Sequence, residues 1–91
     1  MNKENREEKI LGTLEKAGYR ITKPRQILVE LVNKQTSAFT GEELYHELNK
    51  KGIGRATMFR NLRILQDIGI LTRLHLYKKC HYYVLSHPAK S

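Results

Sequence analysis

The sequence contains few of the residues that small folds use as covalent or metal-bound supports. Its 91 residues include a single cysteine, which excludes an internal disulfide and a Cys-x-x-Cys zinc knuckle. Tryptophan is absent, and no apolar run approaches the length of a membrane span. The first residues, MNKENREEK, lack the apolar region of a secretory signal. We therefore expect one domain in the cytoplasm that does not enter a membrane.

Acidic residues are scarce relative to basic ones. Nine Asp and Glu residues face 17 Lys and Arg residues, which gives a formal net charge of +8. Residues 50–81 contain one acid, Asp67, and eight basic residues, a net charge of +7: Lys50, Lys51, Arg55, Arg60, Arg63, Arg73, Lys78 and Lys79. A small basic domain attracts polyanions, most commonly nucleic acid, with a membrane surface or RNA as rival partners.

Apolar residues recur at helical spacing in the first third of the chain. The first helix is predicted over residues 2–17 and is stopped by Gly18. A second helix begins after the N-cap Thr22, with Pro24 in its first turn, and ends near Lys34.

Two further helices are predicted around a glycine turn. The third follows Thr40 and Glu43, which have the spacing of a capping box, and ends near Gly52. The fourth spans residues 55–68 and is stopped by Gly69.

The remaining segments have strand character. Residues 37–39 predict a short strand, and residues 70–77 and 81–85 predict a hairpin around a turn at 77–80. The predicted fold is α+β, mainly α: a winged helix-turn-helix of four helices, a short strand and a C-terminal β-hairpin wing. This domain covers residues 1–86, and residues 87–91 form a C-terminal tail, interpreted as the start of a linker.

The fourth helix has two faces of different chemistry. Its predicted core seam is Met58, Leu62 and Leu65, extended by Ile68. The opposite stripe consists of Ala56, Phe59, Arg60 and Arg63. Arginine can read guanine in the major groove, phenylalanine can touch a thymine methyl group, and a small residue permits close approach. The stripe therefore predicts a DNA-reading surface on helix 55–68.

Further residues are assigned to the same surface, and residues both on and beside the stripe also have an interpretation that does not involve DNA. Arg55, Thr57 and Asn61 lie beside the stripe, where they contact DNA or are ordinary helix residues. Phe59 alternatively packs beneath the wing or the first helix, and Arg60 and Arg63 form a solvated face. Additional candidates are Lys78 and Lys79 at the hairpin tip and Arg20 in the first connector.

Four strings, in order and at matching spacing, resemble the N-terminal half of the ferric uptake regulator family. They are GYRITKPR (18–25), EELY (42–45), ATMFRNL (56–62) and GILTR (69–73), and the resemblance covers about residues 8–86. It implies a bacterial repressor that binds AT-rich palindromic operators as a dimer. It also implies that Phe59 lies on the recognition helix and that Arg20 enters the minor groove.

The sequence departs from the family pattern in its metal-binding features. Members continue into a second domain that dimerises and binds Zn or Fe/Mn, whereas this chain stops at Ser91, as a cut-out domain or a short relative would. Ala38 and Val84 stand where many members place a histidine and a glutamate ligand. We therefore expect no metal and no other cofactor in this chain.

Two other classes of function remain open. A protein-interaction module would use Glu42 and Glu43, and a metal-sensing fragment would use His75, Cys80, His81 and His87. Neighbouring Cys80 and His81 would point to opposite faces of a strand, which disfavours a shared metal. The sequence shows no nucleophile with a matching base and no phosphate-binding loop, so we expect neither enzyme activity nor a small-molecule substrate.

Overall fold

The computed structural model describes residues 3–77 and 80–86 of the chain. Within these residues, the chain forms α1 (Lys3–Lys16), α2 (Lys23–Asn33), β1 (Phe39–Thr40), α3 (Gly41–Asn49), α4 (Arg55–Asp67), β2 (Leu71–Tyr77) and β3 (Cys80–Leu85). This order confirms the predicted winged helix-turn-helix. No helix in this part of the chain has the length and apolar character required to cross a membrane. Lys78, Lys79 and the predicted tail lie outside the described residues.

The helix ends follow from local chemistry. The Thr22 hydroxyl accepts a hydrogen bond from the Arg25 backbone N–H at 3.4 Å and caps α2. Thr40 and Glu43 form the predicted capping box of α3, with bonds of 3.0 and 3.1 Å. Gly69, which follows α4, has a φ of +86°, a left-handed conformation that favours glycine.

Three strands form one antiparallel sheet in the order β1-β3-β2. Phe39 and Thr40 pair with Tyr83 and Tyr82, so β1 starts at the last residue of the strand predicted over 37–39. Thr40 belongs to the strand and also caps α3. The sheet is therefore joined directly to the first turn of α3.

One apolar core lies between the helices and the sheet. Its buried members are Ile10, Leu14, Leu28, Val29, Val32, Phe39, Leu44, Leu48, Ile53, Met58, Leu62, Leu65, Leu71 and Tyr83. The predicted seam of α4 is confirmed at Met58, Leu62 and Leu65, whereas Ile68 is half-buried at the end of the helix. Because three residues of α4 are nearly inaccessible to solvent, the rotation of this helix about its axis is fixed.

Tyr83 brings an ionisable group into this core. Its ring stacks on Phe39, with centroids 6.0 Å apart. Burial raises the pKa of the Tyr83 hydroxyl above its ordinary value of 10.0, and the nearby charge of Arg73 opposes the shift. The fold therefore favours the protonated phenol.

This raised pKa predicts a loss of stability in alkali. Above about pH 10 the unfolded chain releases the Tyr83 proton before the folded chain does, so the free energy of unfolding falls as pH rises. We expect Tyr83→Phe, which retains the stacked ring, to show a shallower decline in denaturant titrations between about pH 9 and about pH 11. Equal pH dependence in the parent and the variant would contradict this prediction.

Candidate nucleic-acid interface

The face of α4 that points away from the core is exposed and basic. Ala56, Arg60 and Arg63 are exposed, as the helical spacing predicts. The Arg63 Nε lies 3.4 Å from the Asp67 carboxylate one turn later, and the Arg63 side chain is 76% exposed. An ion pair this exposed contributes little to stability, so Arg63 can exchange its partner for an external anion at small cost.

Phe59 lies at the edge of this face and is half-buried. Its ring covers Gly41 in the first turn of α3. A Cβ atom built on Gly41 would lie 3.0 and 3.1 Å from the Phe59 Cε1 and Cζ atoms. The ring therefore occupies the space that a side chain at position 41 would need.

Arg55, in the first turn of α4, is engaged by α3. Its guanidinium forms an ion pair with Glu42, and its Cζ lies 4.2 Å from the centre of the Tyr45 ring. The Arg55 side chain remains 50% exposed. A DNA phosphate that binds Arg55 would therefore compete with Glu42.

The structure corrects the prediction for Asn61. This residue is only 7% exposed and does not lie on the outer surface beside the stripe. Its Oδ1 accepts a hydrogen bond from the Arg25 Nε at 2.7 Å, and its Nδ2 donates to the Thr57 carbonyl at 2.9 Å. Asn61 therefore joins α4 to α2, and its amide is already paired inside the protein.

Arg25 is a further residue at this surface that was not among the predicted site residues, although it lies in the string 18–25. Its Nη1 donates to the Arg20 carbonyl at 2.9 Å, and its Cζ lies 5.3 Å from the centre of the Tyr19 ring. Arg20 itself is exposed. A basic residue at the third position of a helix gives no signal by itself, and the partner of Arg25 on α4 is 36 residues away in sequence.

The remaining candidates divide between described and undescribed residues. Thr57 is half-buried on α4, and His46 is exposed on α3. The side chains of His75, Cys80, His81 and His87, like Lys78 and Lys79, lie outside the described part. Among the side chains that are described, no three His, Cys, Asp or Glu residues lie close enough together to hold a metal ion.

Fold and surface together define a winged helix-turn-helix domain. Its second helix-turn-helix element, α4, presents an exposed basic face. The ferric uptake regulator family model matches residues 16–90, and the chain belongs to this family of transcriptional regulators. The predicted family resemblance is thereby confirmed.

Individual relatives agree with this assignment. The peroxide-responsive repressor PerR of Staphylococcus epidermidis is 39% identical over 69 residues, which cover 74% of this chain and 46% of that protein. The ferric uptake regulator of Vibrio cholerae superposes with a TM-score of 0.73 at 34% identity, covering 86% of this chain and 62% of the other. PerR of Streptococcus pyogenes shares the fold with a TM-score of 0.79 at 24% identity, covering 87% and 56%. The chain thus spans about half the length of these proteins.

The contact between Phe59 and Gly41 predicts that the effect of Gly41→Ala on stability depends on the Phe59 ring. Where the backbone conformation suits both residues, replacing glycine by alanine stabilises a protein by about 0.4 to 1 kcal/mol, mainly by restricting the unfolded chain. We expect Gly41→Ala to raise the free energy of unfolding by about this amount in a Phe59→Ala background and by less in the parent, where the ring must shift. Chemical denaturation of the four proteins measures the difference, and equal gains in both backgrounds would contradict the contact.

Proposed function

We propose that this chain is the sequence-specific DNA-binding domain of a transcriptional repressor. The observation that carries the proposal is the exposed stripe of Ala56, Arg60 and Arg63 on α4, directly opposite the buried seam of the same helix. A helix of this kind fits the major groove, and its two arginines supply the donors that guanine or phosphate groups accept.

Each part of the surface has a proposed role. Arg60 and Arg63 bind base edges or phosphates, the exposed edge of Phe59 contacts a thymine methyl group, and Ala56 permits close approach. Thr57 and Arg55 lie beside them, with Arg55 available once Glu42 is displaced. The family resemblance supports a minor-groove role for Arg20, and Lys78 and Lys79 are proposed as wing contacts to phosphate.

A curated relative supports a repressor, and the family resemblance implies that the repressor acts on symmetric DNA. The S. epidermidis protein is a peroxide-responsive repressor, and this chain matches about half of it. We propose that two copies bind an AT-rich palindrome, one per half-site. Copies that bind successive major grooves on one side of the duplex would place the half-site centres roughly 34 Å apart.

The contacts of two acidic residues of α3 disfavour the alternative, a protein-interaction module that uses these residues to hold a basic partner. Glu42 pairs with Arg55, and Glu43 accepts the Thr40 N–H at 3.0 Å as part of the capping box. Both carboxylates therefore already serve the domain itself. Under the interaction hypothesis, changes at Glu42 and Glu43 would abolish function, whereas changes at Phe59 and Arg60 would not.

Selection of bound duplexes from a random pool tests the proposed function directly. We expect an enriched sequence with two-fold symmetry, bound more tightly than a shuffled duplex at every salt concentration. The affinity for both duplexes should fall steeply as salt increases, because phosphate contacts release counterions. Equal affinity for the selected and shuffled duplexes would overturn the proposal.

A variant series at Arg60 separates base reading from charge. We expect Arg60→Ala to weaken binding to the selected duplex by about 1 to 3 kcal/mol and to relax specificity at one position. Arg60→Lys keeps the charge but loses the two-pronged donor geometry, so it should recover non-specific affinity only. Lys16→Ala, which removes an exposed charge at the end of α1, is the matched control. A loss equal to that of Lys16→Ala would contradict the role of Arg60.

The Glu42–Arg55 pair predicts that Glu42 weakens non-specific binding. Glu42→Gln releases Arg55 to bind phosphate, so the slope of log affinity against log salt on the shuffled duplex should steepen by about 0.9. Glu30→Gln, at an exposed position on α2, changes the net charge equally and serves as the control. Equal slopes for these two variants would show that the pair does not compete with DNA.

A further inference from the structure

We propose that Arg25 is a positioning residue that holds the connector bearing Arg20 against α4, so that two DNA-reading elements are presented as one unit. The inference rests on the DNA-binding function proposed above. It assigns to Arg25 a role that requires no contact between its side chain and DNA.

Three groups, one on α4 and two in the connector between α1 and α2, meet at the Arg25 side chain. The Nε donates to Asn61 Oδ1 on α4 at 2.7 Å, and the Nη1 donates to the Arg20 carbonyl at 2.9 Å. The Tyr19 ring lies 5.3 Å from the Arg25 Cζ, within the range of a cation–π contact. One planar guanidinium thus connects the connector to α4.

The α4 end of this connection is rigid. Asn61 is 7% exposed and neighbours the buried Leu62, and its Nδ2 is held by the Thr57 carbonyl one turn earlier. The amide oxygen of Asn61 is therefore presented to Arg25 in one orientation. A hydrogen bond from a charged donor to this fixed acceptor defines the position of the guanidinium.

The connector end gains its position from the same side chain. The connector leaves α1 through Gly18, whose φ is +96°, and the Tyr19 N–H bonds back to the Leu14 carbonyl at 3.0 Å. The carbonyl of the following residue in the chain, Arg20, accepts a hydrogen bond from the Arg25 side chain. Without Arg25, the Arg20 backbone would lose this link to α4. The connector would then have to become ordered when DNA binds, and this ordering would reduce the affinity.

This arrangement predicts that the contribution of Arg20 to DNA affinity depends on the presence of Arg25. In the parent, we expect Arg20→Ala to reduce affinity for the selected duplex by about tenfold, whereas in an Arg25→Ala background the same change should cost less than about twofold. Two residues that act independently would show the same loss in both backgrounds. The four proteins form a double-mutant cycle, and thermal unfolding confirms that each is folded at the assay temperature.

Two further variants distinguish positioning from direct contact. Asn61→Leu removes the acceptor for Arg25 with little change in volume. In this background, Arg20→Ala should also leave the affinity for the selected duplex nearly unchanged. Arg25→Lys keeps the charge but not the guanidinium geometry, so Arg20→Ala should still have little effect on affinity in this background. If Arg25 instead bound phosphate, Arg25→Lys would restore affinity and Arg25→Ala would reduce the salt slope by about 0.9. Lys23→Ala, in the first turn of α2, is the control for loss of a nearby charge.

The outcomes separate this inference from the proposed function. A parent chain that does not distinguish selected from shuffled duplex overturns the proposed function. A parent chain that distinguishes them, with the same loss from Arg20→Ala in the presence and absence of Arg25, overturns the positioning role alone.

Discussion

The burial of Met58, Leu62 and Leu65 is the constraint on which the rest of the molecule depends. These side chains are at most 2% exposed, and they set the rotation of α4 within the core. Once that rotation is fixed, Ala56, Arg60 and every other outward position of the helix follow from the 3.6-residue repeat. The DNA-binding surface proposed here is therefore the complement of the core seam, and a change in core packing would rotate it as a whole.

Net charge gives an incomplete description of the basic surface, because the arginines differ in what surrounds them. Arg60 is exposed, Arg63 and Arg55 are exposed but paired with Asp67 and Glu42, and Arg25 is bonded to Asn61. The guanidinium of Arg25 has an internal role despite its full charge. A formal charge of +8 thus counts cations that face solvent together with cations that organise the fold.

The sequence predicts features that depend on near neighbours in the chain. The caps at Thr22 and Thr40 and the glycine at position 69 are local, and the structure confirms them. The contacts of Phe59 with Gly41 and of Arg25 with Asn61 join residues 18 and 36 positions apart. Helical spacing places Asn61 next to the outer stripe, and only the approach of α2 makes that position an interior one.

Thr40 has a consequence that reaches beyond its cap. Its backbone pairs with β3, its side chain begins α3, and the next residue, Gly41, supports the Phe59 ring. The sheet and α3 are thus joined directly at Thr40, with no loop residue between strand and helix. We therefore expect a displacement of β3 to move the first turn of α3 and, through Gly41, the ring of Phe59 on α4.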